Sequence, residues 1–246
     1  MRIALLADIH ANQQAFTACL QNAKEKGAER NVLLGDIVGY AASPAWSVAT
    51  AMEQVAGGAV AVLGNHDAAI GDPSSGMHGD AKAVIDWTRG ELSADERRFL
   101  AGLPLTAAEE DRLYVHADAS APRRWIYVFT VEEAARSLRA SRAQITFCGH
   151  THRPAIFSMT AAAKMTAFVP VAGVPVPLTG LRRWQVVLGS VGQPRDGIPA
   201  ASYAIFDTDK KEVTFLRVPY DIESAAEAIR RARLPQFFAE RLFAGR

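Results

Sequence analysis

The sequence predicts an α/β fold with a second, more antiparallel sheet behind it, and three patterns carry that prediction. Short apolar runs recur at 3–7, 32–34, 59–63, 113–115 and 145–148, each three to five residues long and rich in Val, Ile or Leu. Runs of that kind read as strands buried on both faces. Helical periodicity fills the intervals between them. From residue 184 onward the pattern changes to strands separated by tight turns.

The first helix is expected over 12–26, where Phe16, Cys19, Leu20 and Ala23 share a face, with Asn12 as N-cap and Gly27 as the stop. Further helices are expected near 44–56, 79–90, 94–100, 131–141 and 222–231. Strands are expected at 184–188, 202–207 and 212–218, joined by turns at Gly189, Gly197 and Asp209-Lys210. No repeat, low-complexity stretch or linker interrupts the chain, so 1–246 is read as a single domain.

Composition narrows the function. Of 246 residues, 49% are apolar and 22% charged, which suits a folded core, and the formal net charge is only +1. A nucleic-acid polymer is therefore not the expected partner, since such grooves carry a marked basic excess. A small anionic substrate stays open, because bound metal ions supply positive charge locally. Cys19 and Cys148 make no disulfide framework and read as buried small hydrophobes, in keeping with a reducing cytoplasm. The N-terminal MRIALLADIH reads as a strand and not as a signal peptide. Residues 155–181 contain Lys164 and three prolines, so no membrane helix is expected there. A homo-oligomer is compatible with all of this.

The polar clusters carry the chemistry. In order they are Asp8-Ile9-His10, Gly35-Asp36, Gly64-Asn65-His66-Asp67, His116 and Gly149-His150-Thr151-His152. Each follows an apolar run directly, at the strand end where open α/β sheets bind ligands. Five of the six histidines fall in these clusters; only His78 lies outside. Singly the motifs are weak, because Gly-Asp or Asp-x-His often marks a turn. Their joint order and placement are what carry weight.

Imidazole and carboxylate donors without thiolate suit Mn, Fe, Co, Ni or Zn, and a catalytic site more than a structural zinc. Asp8, Asp36 and Asn65 with His10, His116, His150 and His152 are too many donors for one ion that keeps open positions. Two ions sharing a carboxylate fit better, and pairs about 3.5–4 Å apart recur in phosphoryl displacement.

Together these residues resemble the calcineurin-like metallophosphoesterases. The segments concerned are DIHAN at 8–12, GDIVGY at 35–40, GNHD at 64–67, VH at 115–116 and GHTHRP at 149–154. LGSVGQPRDGIPAASYAIFD at 188–207 and AIRRARLPQFFAERL at 228–242 look like the small bacterial diadenosine-tetraphosphatase-related phosphodiesterase branch. Only 155–183 falls outside the likeness.

The resemblance implies a four-layer α/β/β/α sandwich, two stacked mixed β-sheets flanked by helices. It implies two divalent transition-metal ions, Mn first, with Fe, Ni, Co or Zn as alternatives. Asp8, His10 and His152 would hold one, Asn65, His116 and His150 the other, and Asp36 would bridge them. His66 would act catalytically on the leaving oxygen, while a hydroxide bridging the ions attacks phosphorus in line. The implied substrate is a small phosphate ester, diester before monoester, with a nucleotide or dinucleoside polyphosphate as a candidate. The competing reading is a non-catalytic scaffold of the same fold.

Two departures stand out. GDIVGY lacks the further Asp that orients the catalytic His in the protein phosphatases of this superfamily, and Asp67 is the candidate substitute. The branch's His-Gly segment reads His116-Ala117-Asp118 here. Lesser candidates remain. Arg195 could fork onto a substrate phosphate or stay on a surface turn. Asn12 could touch phosphate or cap the first helix. His78, after the polar run 72–76, reads as an exposed loop residue. The 155–183 segment could be an insertion that forms a lid, a subunit contact or a peripheral hairpin.

Overall fold

Residues with apolar side chains on both faces become strands, and the strands assort into two sheets. The computed structural model describes residues 1–72 and 77–246, so part of the 72–76 run lies outside the described residues. Strands β1 (Arg2–Leu6), β2 (Arg30–Leu33) and β3 (Val60–Ala61) run parallel, and α1 (Gln13–Glu25) and α2 (Pro44–Ala56) form the crossovers. On the other side of β1, β11 (Ala201–Asp207), β12 (Glu212–Val218) and β9 (Pro175–Pro177) add antiparallel, giving the order β3-β2-β1-β11-β12-β9.

The second sheet repeats this plan. Strands β5 (Arg112–Val115), β6 (Ile145–Cys148) and β10 (Arg182–Val187) run parallel, with α6 (Val131–Arg139) between the first two. Strand β4 (Thr106–Glu109) adds antiparallel to β5, and β7 (Ala155–Thr160) and β8 (Met165–Phe168) add antiparallel beyond β10. The order is β4-β5-β6-β10-β7-β8.

Two six-stranded mixed sheets flanked by helices are thus present, matching a calcineurin-like sandwich. The expected division into an α/β front and an antiparallel back does not hold. Each sheet has a parallel half and an antiparallel half, because β11 and β12 return to the edge of β1 while β10 joins β5 and β6. That pairing joins residues far apart in sequence, such as Leu5 and Ala204, and local pattern does not report it.

Alternation along the strands explains the layering. Ile3, Leu5 and Ala7 pack with Val32, Leu34, Tyr114, Phe147, Val186 and Phe206 between the sheets. Their neighbours Ala4 and Leu6 face Phe16 and Cys19 of α1. On the far side, Val115, Cys148 and Val187 meet Ala134 of α6. Each fully buried Leu, Val or Phe contributes about 1.5–3 kcal/mol. Both cysteines are buried and free, and burial pushes both thiols up. Helix α6 starts where the Thr130 hydroxyl accepts from Glu133 N (3.3 Å) and the Glu133 carboxylate accepts from Thr130 N (2.9 Å).

Helices α4 (Gly79–Glu91), α5 (Ala94–Ala101) and α7 (Ile222–Arg231) form within about a residue of their expected positions. Helices α3 (Asn65–Gly71) and α8 (Gln236–Ala244) and strand β4 lie outside the sequence expectations; within 155–183, β7 and β8 form an antiparallel hairpin, one of the readings offered for this segment, while β9 joins the other sheet. No helix among the described residues is long and apolar enough to cross a membrane.

Candidate metal centre

The parallel strands of both sheets end at one edge, and backbone hydrogen bonds lock their loops together there. Asp8 N donates to Gly35 O (3.1 Å), Gly149 N to His116 O (2.9 Å) and Gly192 N to Asp8 O (2.9 Å). The loops are tight. Asp8, His10, Asp36, His150 and His152 all hold φ between 51 and 68°, a left-handed region that is costly for residues with a Cβ, by about 1–3 kcal/mol each. Such strain persists only where the surroundings impose it.

All seven candidate ligands converge in two adjoining groups. In the first, His10 Nε2 and His152 Nε2 face each other at 3.1 Å, with Asp8 Oδ1 at 3.3 Å from His152 and 3.9 Å from His10. In the second, His116 Nε2 lies 3.1 Å from Asn65 Oδ1, 3.1 Å from His150 Nδ1 and 3.3 Å from Asp36 Oδ2. Asp36 Oδ2 is also 3.7 Å from His10 Nε2, so this carboxylate stands between the groups. Its other oxygen accepts from His66 N (2.8 Å) in the first turn of α3.

The tautomers show what these groups can hold. A carbonyl has no proton to give, so an imidazole nitrogen bonded to one must carry the hydrogen. His10 donates Nδ1–H to Val38 O (3.1 Å), His152 Nδ1–H to Gln193 O (2.6 Å), His116 Nδ1–H to Leu34 O (2.7 Å) and His150 Nε2–H to Trp125 O (2.9 Å). The opposite nitrogen of every neutral ring therefore presents a lone pair inward. With all four rings neutral, lone pairs, carboxylate oxygens and an amide oxygen face one another with no donor between them, and buried Asp8 Oδ1 has no hydrogen-bond partner. Only cations satisfy such a donor set, and carbonyl-oriented imidazoles are how metal sites are supported. The residues fit two metal ions.

Electrostatics agree. Burial pushes His66 down to about 4 and His150 to about 3, and holds His10 well below its ordinary value, so these rings are neutral near pH 7. Burial alone would raise the Asp8 and Asp36 carboxyls. Facing imidazoles, His152 for Asp8 and His116 and His66 for Asp36, instead hold both below the usual carboxylate range. His116 differs: burial opposes its charge, but Asp36 outweighs it and raises the ring to about 9. A proton there takes the place a metal ion would occupy.

His66 sits over the first group, its ring at 4.9 Å from that of His10. Its Nε2 lies 3.1 Å from Tyr40 Oη, and Arg195 Nη2 donates to the same oxygen at 3.2 Å. Tyr40 thus occupies the orienting position. Asp67 does not orient the ring: its carboxylate accepts from Ile37 N (2.9 Å), Val38 N (3.2 Å) and Gly64 N (3.1 Å), which fixes the 36–38 loop to the start of α3. Burial and the neighbouring Asp36 charge push the Asp67 carboxyl up to about 7.

The remaining candidates separate clearly. Asn12 is buried, accepts from Ala15 N (3.1 Å) as the cap of α1 and donates to Gly192 O (2.9 Å). His78 is exposed at the start of α4. Asp118 anchors the loop beyond His116 through Arg136 (2.6 Å) and Ile126 O (3.1 Å), and that loop delivers the Trp125 carbonyl and stacks Tyr127 on His150 at 4.2 Å. Tyr40, Trp125 and Tyr127 carry no signal in the sequence for these contacts, because their partners His66 and His150 lie 23 to 26 residues away.

Comparison with known proteins agrees with the fold. The family model for the calcineurin-like phosphoesterase superfamily domain matches residues 1–211. An uncharacterized protein of Methanocaldococcus jannaschii is 34% identical over 252 residues, covering 99% of this chain and 98% of its own. The crystal structure of a metallophosphoesterase from Sphaerobacter thermophilus superposes with a TM-score of 0.87 at 33% identity, covering 100% and 99% of the two chains. A hypothetical protein of Pyrococcus horikoshii shares the fold, with a TM-score of 0.79 at 21% identity over 100% and 98%. The chain belongs to the calcineurin-like phosphoesterase superfamily. Its members typically bind divalent metals, and this chain carries the Asp and His clusters to do so.

Proposed function

We propose that this protein is a dinuclear metal-dependent phosphoesterase acting on a small phosphate ester. The observation that carries the reading is the pair of facing acceptor groups joined by Asp36. Asp8, His10 and His152 would hold one ion, Asn65, His116 and His150 the other, and Asp36 would contribute to both. When bound, the ions supply Lewis acidity toward phosphoryl oxygens and an acidified attacking water.

The chain's own residues do the rest. The backbone carbonyls of Val38, Gln193, Leu34 and Trp125 keep four imidazole lone pairs aimed inward. His66 donates a hydrogen bond, or its proton, to the leaving oxygen. Burial keeps the ring neutral until an anionic phosphate approaches and raises its proton affinity. Tyr40 holds the ring in place. Diesters are preferred to monoesters, and a nucleotide is the candidate substrate. A non-catalytic scaffold has no observation in its favour, since every ligand position and His66 are present.

The test is hydrolysis of bis(p-nitrophenyl) phosphate and p-nitrophenyl phosphate by metal-stripped protein with and without Mn²⁺. Release that appears only with Mn²⁺, faster for the diester, is expected. Turnover that persists after exhaustive chelation would remove the metal from the reaction.

A further inference from the structure

Among the described residues, the ring of His66 has a single hydrogen-bond partner: Nδ1 is buried and unbonded, and Nε2 meets Tyr40 Oη at 3.1 Å. The angle of that ring therefore depends on what holds Tyr40. Tyr40 sits at φ 61° in the loop after Asp36, in neither strand nor helix. Its support comes from the other end of the chain. Phe238 of α8 is buried and lies ring to ring with Tyr40, centroids 5.0 Å apart and planes at 31°. Phe238 and Leu242 of α8 and Ile229 of α7 share one apolar cluster with Ala11 and Ala41, which directly follow His10 and Tyr40. A packed interior leaves a buried ring little room to tilt, so what lies against Tyr40 sets where its hydroxyl points.

The hydroxyl end of Tyr40 is held from the same helix. Gly245, where α8 ends at φ 61°, accepts from Gly197 N through its carbonyl (2.9 Å). It packs so closely on that loop that a Cβ there would stand 2.6 Å from Ile198 N. The loop carries Arg195, whose Nη2 donates to Tyr40 Oη at 3.2 Å. Helix α8 thus grips Tyr40 at both ends, by its ring through Phe238 and by its hydroxyl through the Arg195 loop. The matched family domain ends at residue 211, so α8 lies outside it. We infer that α8 is nonetheless part of the reaction centre, with Phe238 a positioning residue that holds Tyr40 and, through it, the His66 ring for the leaving oxygen. The inference rests on the phosphoesterase reading for its chemistry but not for its contacts.

Two readouts on the full chain test this, comparing Phe238→Ala with wild type. With Mn²⁺ supplied, the variant is expected to keep its metal content and KM and to lose about three- to thirtyfold in kcat on diphenyl phosphate, a part of the whole worth of proton-transfer help. On bis(p-nitrophenyl) phosphate, whose leaving group departs without a proton, the loss should be at most about half as large. Phe238→Leu, which restores most of the bulk over Tyr40, should recover most of the rate. Nitrogen NMR of metal-free protein with isotopically labelled histidines should show the His66 ring shifted in Phe238→Ala while His116 and His150 stay in place. Should Phe238→Ala unfold, Gly245→Ala, at the far end of α8 and outside the apolar cluster, is expected to give the same pattern through Arg195. A folded variant with unchanged kcat, or with an unmoved His66 signal, overturns the inference. Equal loss on both esters together with lost metal also overturns it, since α8 would then be a structural prop only. No turnover by the wild type would defeat the phosphoesterase reading instead, and the His66 signal would still decide whether Phe238 holds the ring.

Discussion

At the scale of single residues, the centre is a set of acceptors fixed by the backbone. Four imidazoles are oriented by carbonyls, so the inward nitrogens are set before any ion arrives. His66 is the exception, since its partners are the side chains Tyr40 and, through it, Arg195. The two roles separate experimentally. His66→Ala should keep its metal content and lose about 10²–10⁴-fold in kcat, the usual worth of proton-transfer help. Tyr40→Phe removes the hydrogen bonds of Tyr40 Oη to His66 and to Arg195; losing the neutral bond to His66, worth about 0.5–1.5 kcal/mol, should cost roughly two- to twelvefold in kcat with metal content unchanged. Equal damage from both variants would mean that Tyr40 does more than hold the ring. That the candidate ligands and His66 gather at one edge was legible in sequence, because each polar cluster directly follows a buried strand. The Tyr40–Arg195 contact was not, because it joins residues 155 positions apart. Nor were the left-handed φ values at five ligands, since no glycine marks those positions.

At the scale of elements, the decisive contact is between two loops that end neighbouring parallel strands. Gly64 precedes α3 in extended conformation, so space and not φ is what demands glycine there. A Cβ at Gly64 would overlap the backbone nitrogen and Oδ1 of Asp36. At Gly35, with φ of 82°, a Cβ would fall 2.8 Å from His116 Nδ1. Gly64→Ala should therefore displace Asp36, lower the metal content and destabilise the fold by about 1–3 kcal/mol, the usual cost of overpacking. Elemental analysis beside a thermal melt checks this, and a folded variant with full metal content would show that Asp36 tolerates displacement. The same level explains what sequence missed in the fold. Helix α3 is seven residues long and coincides with the Gly-Asn-His-Asp cluster, so its periodicity is too short to register. The short strands within 155–183 are mostly exposed in β8 and β9, without the apolar runs that announced the others.

At the scale of the whole molecule, the two sheets bring loops from both halves of the chain into one site, and the site sets the pH dependence of stability. His66 and His150 titrate near 4 and 3 in the folded metal-free protein but near 6.5 when unfolded. The unfolded chain binds more protons over that interval, so stability falls as pH drops below about 6.5. His116, raised to about 9, has the opposite sign: its contribution is complete below 6.5 and is lost as pH rises through 9. Metal-free protein should thus be most stable near pH 6.5, as urea unfolding at pH 4.5, 6.5 and 8.5 would report. Bound ions should flatten the alkaline limb by replacing the His116 proton. A monotonic metal-free curve would mean that these rings do not dominate the pH response. The central claim, that one carboxylate joins two ions, is tested most directly by counting metals in wild type and Asp36→Asn after reconstitution with Mn²⁺. The account predicts two ions per chain in the wild type and substantial loss at both positions in the variant. Two retained ions in a folded Asp36→Asn protein would contradict it.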